Sequence, residues 1–430
     1  MKRGAAKKRR GSGGGDDLRN RKPQVVSARP RRAAELEAVI KVRLRRHLSD
    51  LGFIRTVDGY LSPPGTDKEI LRSMHSAQRA AVMRGEREFI SQNLPFLKQF
   101  FASGWEVSPE DVWPRLEVVS PQSWQSRLFR LAALTWSIPV SQGYGRRMRF
   151  LVWDENTEKL IGLIALGDPV FNLKVRDDWV GWSGEDRKRR LTSVMDAYVL
   201  GAVPPYSFIL GGKLVASLVQ SLDIQEHFAR KYATRCGIIS KKRKHPSLAL
   251  VTTASAFGRS SIYNRLKLGP EPVFRSLGYT QGFGHFHIPD SLFELMRAYL
   301  KRKRNAYSDN FEYGQGANWK LRVVREACTL AGLSPGLRKH GIKREVFASE
   351  LATNARALLR GEAETPDFSD LLTVAEMGML ARERWMVRRA EVDDSYREWD
   401  NRQIFDLLQP RVLGLEVIRA TGKVPLNGAG

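Results

Sequence analysis

The sequence predicts an α+β protein in which a mixed α/β middle third lies between two helical regions and follows a basic arm. Three observations carry that expectation. Residues 150–168 (FLVWDENTEKLIGLIALGD) gather β-formers on either side of a polar turn, the pattern of a hairpin. Gly211 and Gly212 open a helical pattern that leads on to an apolar run at 247–256 (SLALVTTASA). The stretches before residue 115 and after residue 290 repeat apolar residues every three to four positions.

Taken in order, residues 1–32 hold twelve Lys or Arg against Asp16 and Asp17, in a Gly-, Pro- and Arg-rich mix that can bury nothing. This part reads as a disordered basic arm. From Ala33, helical spacing places Leu36, Val39, Ile40, Leu44 and Leu48 on one face, with Gly52 as the stop. GYLSPPGTDKE reads as a turn, and Thr66 or Asp67 starts a second helical region marked by Ile70, Leu71, Met74 and Ala77. A helical domain is thus expected over 33–115, closed by WEVSPEDVWP.

The α/β core is expected over 116–290. After the hairpin, whose turn runs from Asp154 to Lys159, come a polar segment (Val175 to Lys188), a helix-like RKRRLTSVMDAYVLG, the loop VPPYSF and the helix GGKLVASLVQSLDIQEHFARKY. The buried strand 247–256 follows, then SSIYNRLKL as a short helix and GYTQGFGHFHI as a final strand pair. Residues 291–430 read as helical, with helices at Asp290–Arg304, in ANWKLRVVREACTLAGL and KREVFASELATNARALLRG, and from Asp370 to about Glu391. Cys328 shares a stripe with Leu321 and Val324, which makes it core filling.

Composition narrows the function classes. At 430 residues the chain is long enough for two or three folded units. A hydrophobic fraction of 42% with ten Trp excludes a largely disordered chain. No run of about 18 uncharged apolar residues is present, and the basic N-terminus lacks the apolar stretch of a signal peptide, so no membrane partner and a cytoplasmic location are expected. Cys236 and Cys328 alone cannot build a disulfide framework or a cysteine zinc site. The formal charge of +25, of which +15 lies outside the arm, points to a polyanion, with nucleic acid the foremost partner.

Several residue groups could carry chemistry. Paired glycines let backbone approach a phosphate closely, so Gly211 and Gly212 are candidate cofactor-binding positions, and Lys213 could pair with the same phosphate. Arg146, Arg147 and Arg149 after the GYG turn, Arg176 beside Trp182, the run Lys241, Lys242, Arg243 and Lys244, and Arg259 and Arg265 are candidate nucleic-acid contacts: arginines beside an exposed aromatic neutralise phosphates and stack on bases. Asp168, Asp177, Asp178 and Asp196 could assemble a two-metal nuclease site, with Asp168 and Asp177 as its catalytic candidates, although their spacing matches no metal loop. His285 and His287 fall on one strand face without a third ligand, so no metal is assigned.

The order of glycine turn, helix, buried strand, Tyr-bearing short helix and GY-containing strand over about residues 120–290 resembles the GNAT acetyltransferase fold. That resemblance implies a phosphate loop at Gly211 and Gly212, Tyr263 as the acid that protonates a leaving thiolate, and acetyl-coenzyme A as cofactor. Phe208 and Lys213 depart from the loop pattern of that fold. A second resemblance spans most of the chain: WSIPVSQGYGRRMRFLVWD, LIGLIALGDPVFNL, RDDWVGW, DAYVLGAVPPYSFILGGKLVAS, TTASAFGRSSIYNRL, GYTQGFGHFHI, GANWKLRVVREA and KHGIKREV resemble the DruA family of the Druantia anti-phage systems. It implies a defence component that works beside other proteins of its system, a helicase-like one among them. Three functions are therefore carried forward: nucleic-acid binding within a defence system, acyl-coenzyme A-dependent N-acyl transfer, and metal-dependent strand processing.

Overall fold

The computed structural model describes residues 32–140, 145–232, 234, 247–258, 260–309 and 317–411. Almost all of the basic arm, which ends at residue 32, and the 241–244 run lie outside them. Helix α1 (Ala33–Asp50) buries Leu36, Ile40, Leu44 and Leu48, the stripe its spacing predicts. A small antiparallel hairpin, β1 (Ile54–Arg55) with β2 (Leu61–Ser62), occupies the stretch read as a turn. Helices α2 (Lys68–Gly85) and α3 (Arg87–Leu97) follow, and Pro95 is accommodated near the end of the second.

A seven-stranded sheet forms the centre. In chain order its strands are β3 (Pro114–Val118), β4 (Arg147–Asp154), β5 (Lys159–Gly167), β6 (Val194–Ala202), β7 (Leu250–Ala254), β8 (Arg275–Tyr279) and β9 (Glu345–Glu350). In space they run β3-β4-β5-β6-β7-β9-β8. Every pair is antiparallel except β6 with β7. That parallel pair requires a crossover, which helices α7 (Gly211–Ser217) and α8 (Leu222–Tyr232) supply.

Both faces of the sheet are covered. Met148, Phe150 and Val152 of β4 pack with α7, α8 and the C-terminal residues Met377 and Trp385. The alternate residues Leu151 and Trp153 pack with Phe101, Leu128 of helix α4 (Trp124–Ala133) and Ile404. Between β5 and β6 lie helices α5 (Lys174–Val180) and α6 (Gly184–Arg190). Absence of a side chain at two cross-strand positions brings covering groups close: a Cβ at Gly162 would meet the Gly201 carbonyl oxygen at 2.3 Å and Val215 of α7 at 2.8 Å, while one at Gly201 would meet Trp136 at 2.7 Å. A separate apolar cluster joins α1 and the β1–β2 hairpin to helices α9 (Asp290–Arg302) and α10 (Ala317–Leu330), so the chain's early and late helical regions share one core. Cys328 is buried there, its thiol pushed up to about 11 by burial, as expected of core filling.

Several sequence expectations are corrected. The last eight residues of the helix-like RKRRLTSVMDAYVLG lie in strand β6 (Val194–Ala202), and the polar segment before it forms α5 and α6. Residues Glu345–Glu350, read as helix, are the strand β9, inserted between β7 and β8; the sheet therefore draws on the chain well beyond residue 290. Val346, Phe347, Ala348 and Ser349 are all buried, and a strand buried on both faces has no alternation to betray it. Of GYTQGFGHFHI only Gly278 and Tyr279 lie in a strand, and the Tyr263 segment is a single 3₁₀ turn. Among the described residues no helix is long and apolar enough to cross a membrane.

Because Phe347 is wholly buried in a central strand and packs on Tyr263 at 5.2 Å, Phe347→Ala is expected to cost about 3–5 kcal/mol in urea denaturation. Val392→Ser, at a position 80% exposed, is expected to change stability by no more than about 0.5 kcal/mol. Equal losses for the two variants would contradict the assignment of β9 to the core.

Candidate functional site

Backbone pairing between β6 and β7 covers only Val194, Met195 and Asp196 opposite Leu250, Val251 and Thr252. Beyond that point the strands diverge, and the Thr253 hydroxyl reaches the Ala197 carbonyl (2.9 Å) where a ladder bond would otherwise stand. In open α/β sheets a crevice at the carboxyl ends of strands is where ligands sit. In this chain the crossover that leaves β6 reaches the glycine turn nine residues past the end of that strand, at Gly211.

Leu210 precedes that turn in the left-handed region (φ 63°). Gly211 donates its N–H to the Tyr206 carbonyl at 2.8 Å, and a Cβ there would lie 2.6 Å from the same oxygen, so the first glycine is required by packing alone. Tyr206 is itself fixed by donating to Asp154 Oδ2 at 2.8 Å. Gly212 is different: a Cβ there would find only Ile262 Cδ1, at 3.7 Å. Lys213 is half-buried, with its ammonium 5.7 Å from the centre of the Trp385 ring.

Trp385 belongs to a π-helical stretch, Arg382–Val387, that follows helix α12 (Val374–Ala381) after helix α11 (Ala355–Arg360). Such stretches shift side-chain register within a helix. The ring turns inward and is buried, while Arg384 and Arg388, four residues apart, are exposed beside it. Leu268, Leu380, Glu383, Arg384, Trp385 and Arg388 line a cavity of about 420 Å³. The Lys213 ammonium is held below its ordinary range by burial, then by the nearby Arg384 and Arg265. Lys213, Arg265, Arg384 and Arg388 make no ion pair among the described residues. Positive charge therefore outweighs negative here, with Glu383 the one carboxylate lining the cavity, an arrangement suited to a phosphate-bearing ligand.

Tyr263 lies one residue from Ile262 on the neighbouring 3₁₀ turn. It is buried between Phe274 (5.0 Å) and Phe347 (5.2 Å), and burial pushes its phenol up to about 12, opposed by its hydrogen bond with Thr253.

The remaining predicted residues fall into distinct environments. Arg146 pairs with Asp168 (2.6 Å) and donates to the Thr192 and Val194 carbonyls, tying the start of β4 to the start of β6. Arg176 is wholly buried, donating to Asp177 (2.7 Å) and to the carbonyls of Val170 and Phe171, while Arg187 reaches the other Asp177 oxygen at 2.7 Å. Trp182 is also buried and donates to the Leu359 carbonyl at 2.7 Å. This corrects the expectation of an exposed aromatic beside arginine: charge composition does not distinguish an arginine that seals a core from one that meets a ligand. Arg147 and Arg265 are exposed, and Arg149 stacks over Phe129 at 5.5 Å. Lys241, Lys242, Arg243, Lys244 and Arg259 lie outside the described residues. Among the described residues no group of three or more His, Cys, Asp or Glu could hold a metal ion.

Sequence reasoning located Gly211, Gly212, Lys213 and Arg265 but missed Arg384 and Arg388. The available signal was the density of arginine around tryptophan in RERWMVRR.

Residues 65–361 match the family model described as Druantia protein DruA. A curated Escherichia coli (strain UMEA 4076-1) protein of that description is 50% identical over 372 residues, which is 86% of this chain and 92% of the relative. No solved structure matches.

Asp196, at the last paired position of β6, accepts from the Thr252 hydroxyl at 2.9 Å, and its carboxyl is pushed by burial from 3.8 to about 6, opposed by Thr252 and Arg176. A raised carboxyl withdraws stability as pH climbs from about 4 to about 6 and changes nothing further above. Asp196→Asn is therefore expected to gain stability relative to the parent across that window. Urea midpoints at pH 4 and pH 7.5 test this, and the same difference at both would contradict it.

Proposed function

Because the chain belongs to the Druantia protein DruA family, we propose that it serves the Druantia anti-phage system by binding nucleic acid at the basic cleft formed by Lys213, Arg265, Arg384 and Arg388. Membership makes it a component of that defence system, which implies other proteins of the system as partners. The observation that carries the nucleic-acid reading is the convergence of four cations that make no ion pair among the described residues, two of them depressing the ammonium of a third. Phosphodiesters would neutralise the excess of cations and release condensed ions on doing so.

The proposal extends to the core and to a partner. A GNAT-like core is supported by the order glycine turn, helix, parallel strand, Tyr263 turn and Gly278–Tyr279 strand around the diverging β6 and β7. A helicase-like protein is the proposed partner, and the cytoplasm the proposed site of action. Acetyl-coenzyme A remains a second reading of the same cleft, favoured by the open space at Gly212 and by the cations around it. Isothermal titration with acetyl-coenzyme A separates the two, since heat of binding at micromolar to millimolar ligand supports the coenzyme and its absence leaves the cleft to nucleic acid. Metal-dependent strand processing gains no support from Asp168 and Asp177, each engaged by arginine.

Binding of a fluorescent oligonucleotide is expected to weaken steeply between 50 and 200 mM salt, by about tenfold or more. Arg384→Glu with Arg388→Glu is expected to weaken it by at least about tenfold at fixed salt and to abolish phage protection, without lowering the melting temperature of the exposed site. Unchanged affinity and protection in the double variant would contradict the cleft.

A further inference from the structure

A second surface is built from residues that line no part of the cleft, around Tyr60, Phe283 and Arg338–Lys339. Three short segments are fastened side by side: Leu61 of the hairpin donates to the Lys339 carbonyl (3.1 Å), Gly284 donates to the Arg338 carbonyl (2.9 Å), and Phe283 bridges Lys339 in antiparallel fashion. The fastening displays two aromatic rings with a cation on each. Lys339 Nζ stands 3.9 Å from the centre of Tyr60, and the Arg338 guanidinium stands 4.9 Å from Phe283. Tyr60 is 39% exposed and Phe283 47%, so both rings can be reached from solvent beside the cations they carry.

Charge there is also one-sided. Residues 334–344 carry Arg338, Lys339, Lys343 and Arg344 and no carboxylate, while residues 51–65 add Arg55 and only Asp58. Arg55, Asp58, Arg338 and Lys339 make no ion pair among the described residues, and the buried Arg338 Nε finds no hydrogen-bond acceptor among them either. Next to the hairpin a cavity of about 300 Å³ is walled by Leu48, Phe53, Leu333 and Leu337, with Arg45 and Arg55 also lining it.

We propose that Tyr60, Phe283, Arg338 and Lys339 form a stacking platform for single-stranded nucleic acid, with the adjoining cavity receiving one splayed base. Exposed rings interleaved with uncompensated cations are what an unpaired strand requires, because bases stack on aromatic faces and on guanidinium planes while phosphates meet the ammonium and guanidinium charges. A duplex keeps its bases inside and could use only the charges. The inference rests on the nucleic-acid reading of the protein but on a different surface from the cleft.

The test is fluorescence anisotropy on the full chain with a labelled oligothymidine and with a duplex of equal length. Tyr60→Ala with Phe283→Ala is expected to weaken single-strand binding by roughly five- to a hundredfold and to leave duplex binding within about twofold. Tyr60→Phe with Phe283→Tyr, which keeps both rings, is expected to restore it, and Lys339→Gln, at an exposed site, to weaken it with the fold intact. Equal single-strand affinity in the alanine variant would overturn the platform, and so would an equal loss for duplex, which would make it a phosphate contact only. If the parent protein bound neither probe, the broader nucleic-acid reading would fall as well; if the parent bound and the variants did not differ, only the platform would.

Discussion

The arrangement of this protein depends on a ladder that stops early. β6 and β7 run parallel for three residue pairs and then part, bridged by the Thr253 hydroxyl. A parallel pair needs a crossover, and the crossover begins at the glycine turn; divergence then leaves room beside that turn for the 3₁₀ segment carrying Ile262 and Tyr263. The π-helical stretch from the end of the chain closes the same region by laying the Trp385 ring near Lys213. Lys213, Arg265 and the Arg384–Arg388 pair thus come from three separate parts of the chain to one cleft.

Positive charge is sorted rather than spread. Arg146, Arg176 and Arg187 are spent on Asp168 and Asp177, where they tie the loops after β5 and before β6 to the sheet. Removing one partner of such a buried pair leaves an unpaired charge, so these residues specify the fold more than they recognise a ligand. The cleft and the Tyr60–Phe283 platform hold cations of the other kind, which make no ion pair among the described residues. Concentrating unneutralised charge raises the energy of the free protein locally, and a polyanion relieves it. This division explains how a chain of charge +25 can offer defined sites instead of a uniformly adhesive surface.

Legibility in the sequence followed periodicity. Helix α1, the β4–β5 hairpin and helix α9 each have one solvent-facing side or a marked turn that reveals them, while the buried strand β7 shows itself by the β-branched run Val251, Thr252 and Thr253. β6 and β9 are less plain: the Met, Ala and Leu of β6 and the short buried run of β9 fit a helix as readily as a strand until tertiary pairing decides. The glycine pair identified half of the cleft because it is a local signal. Arg384 and Arg388 could not be joined to it, since nothing local states which distant helix folds back over a turn. Trp182 and Arg176 were misjudged for a related reason, as a residue type fixes its chemistry but not its depth.

The central claim is that the folded body, and not only its basic arm, holds nucleic acid. Ultraviolet crosslinking of the full chain to an oligonucleotide, with the joined peptides located by mass spectrometry, addresses it most directly. The account predicts adducts in the peptides that carry residues 380–390, with the arm free to contribute others. Adducts confined to residues 1–32 would contradict it.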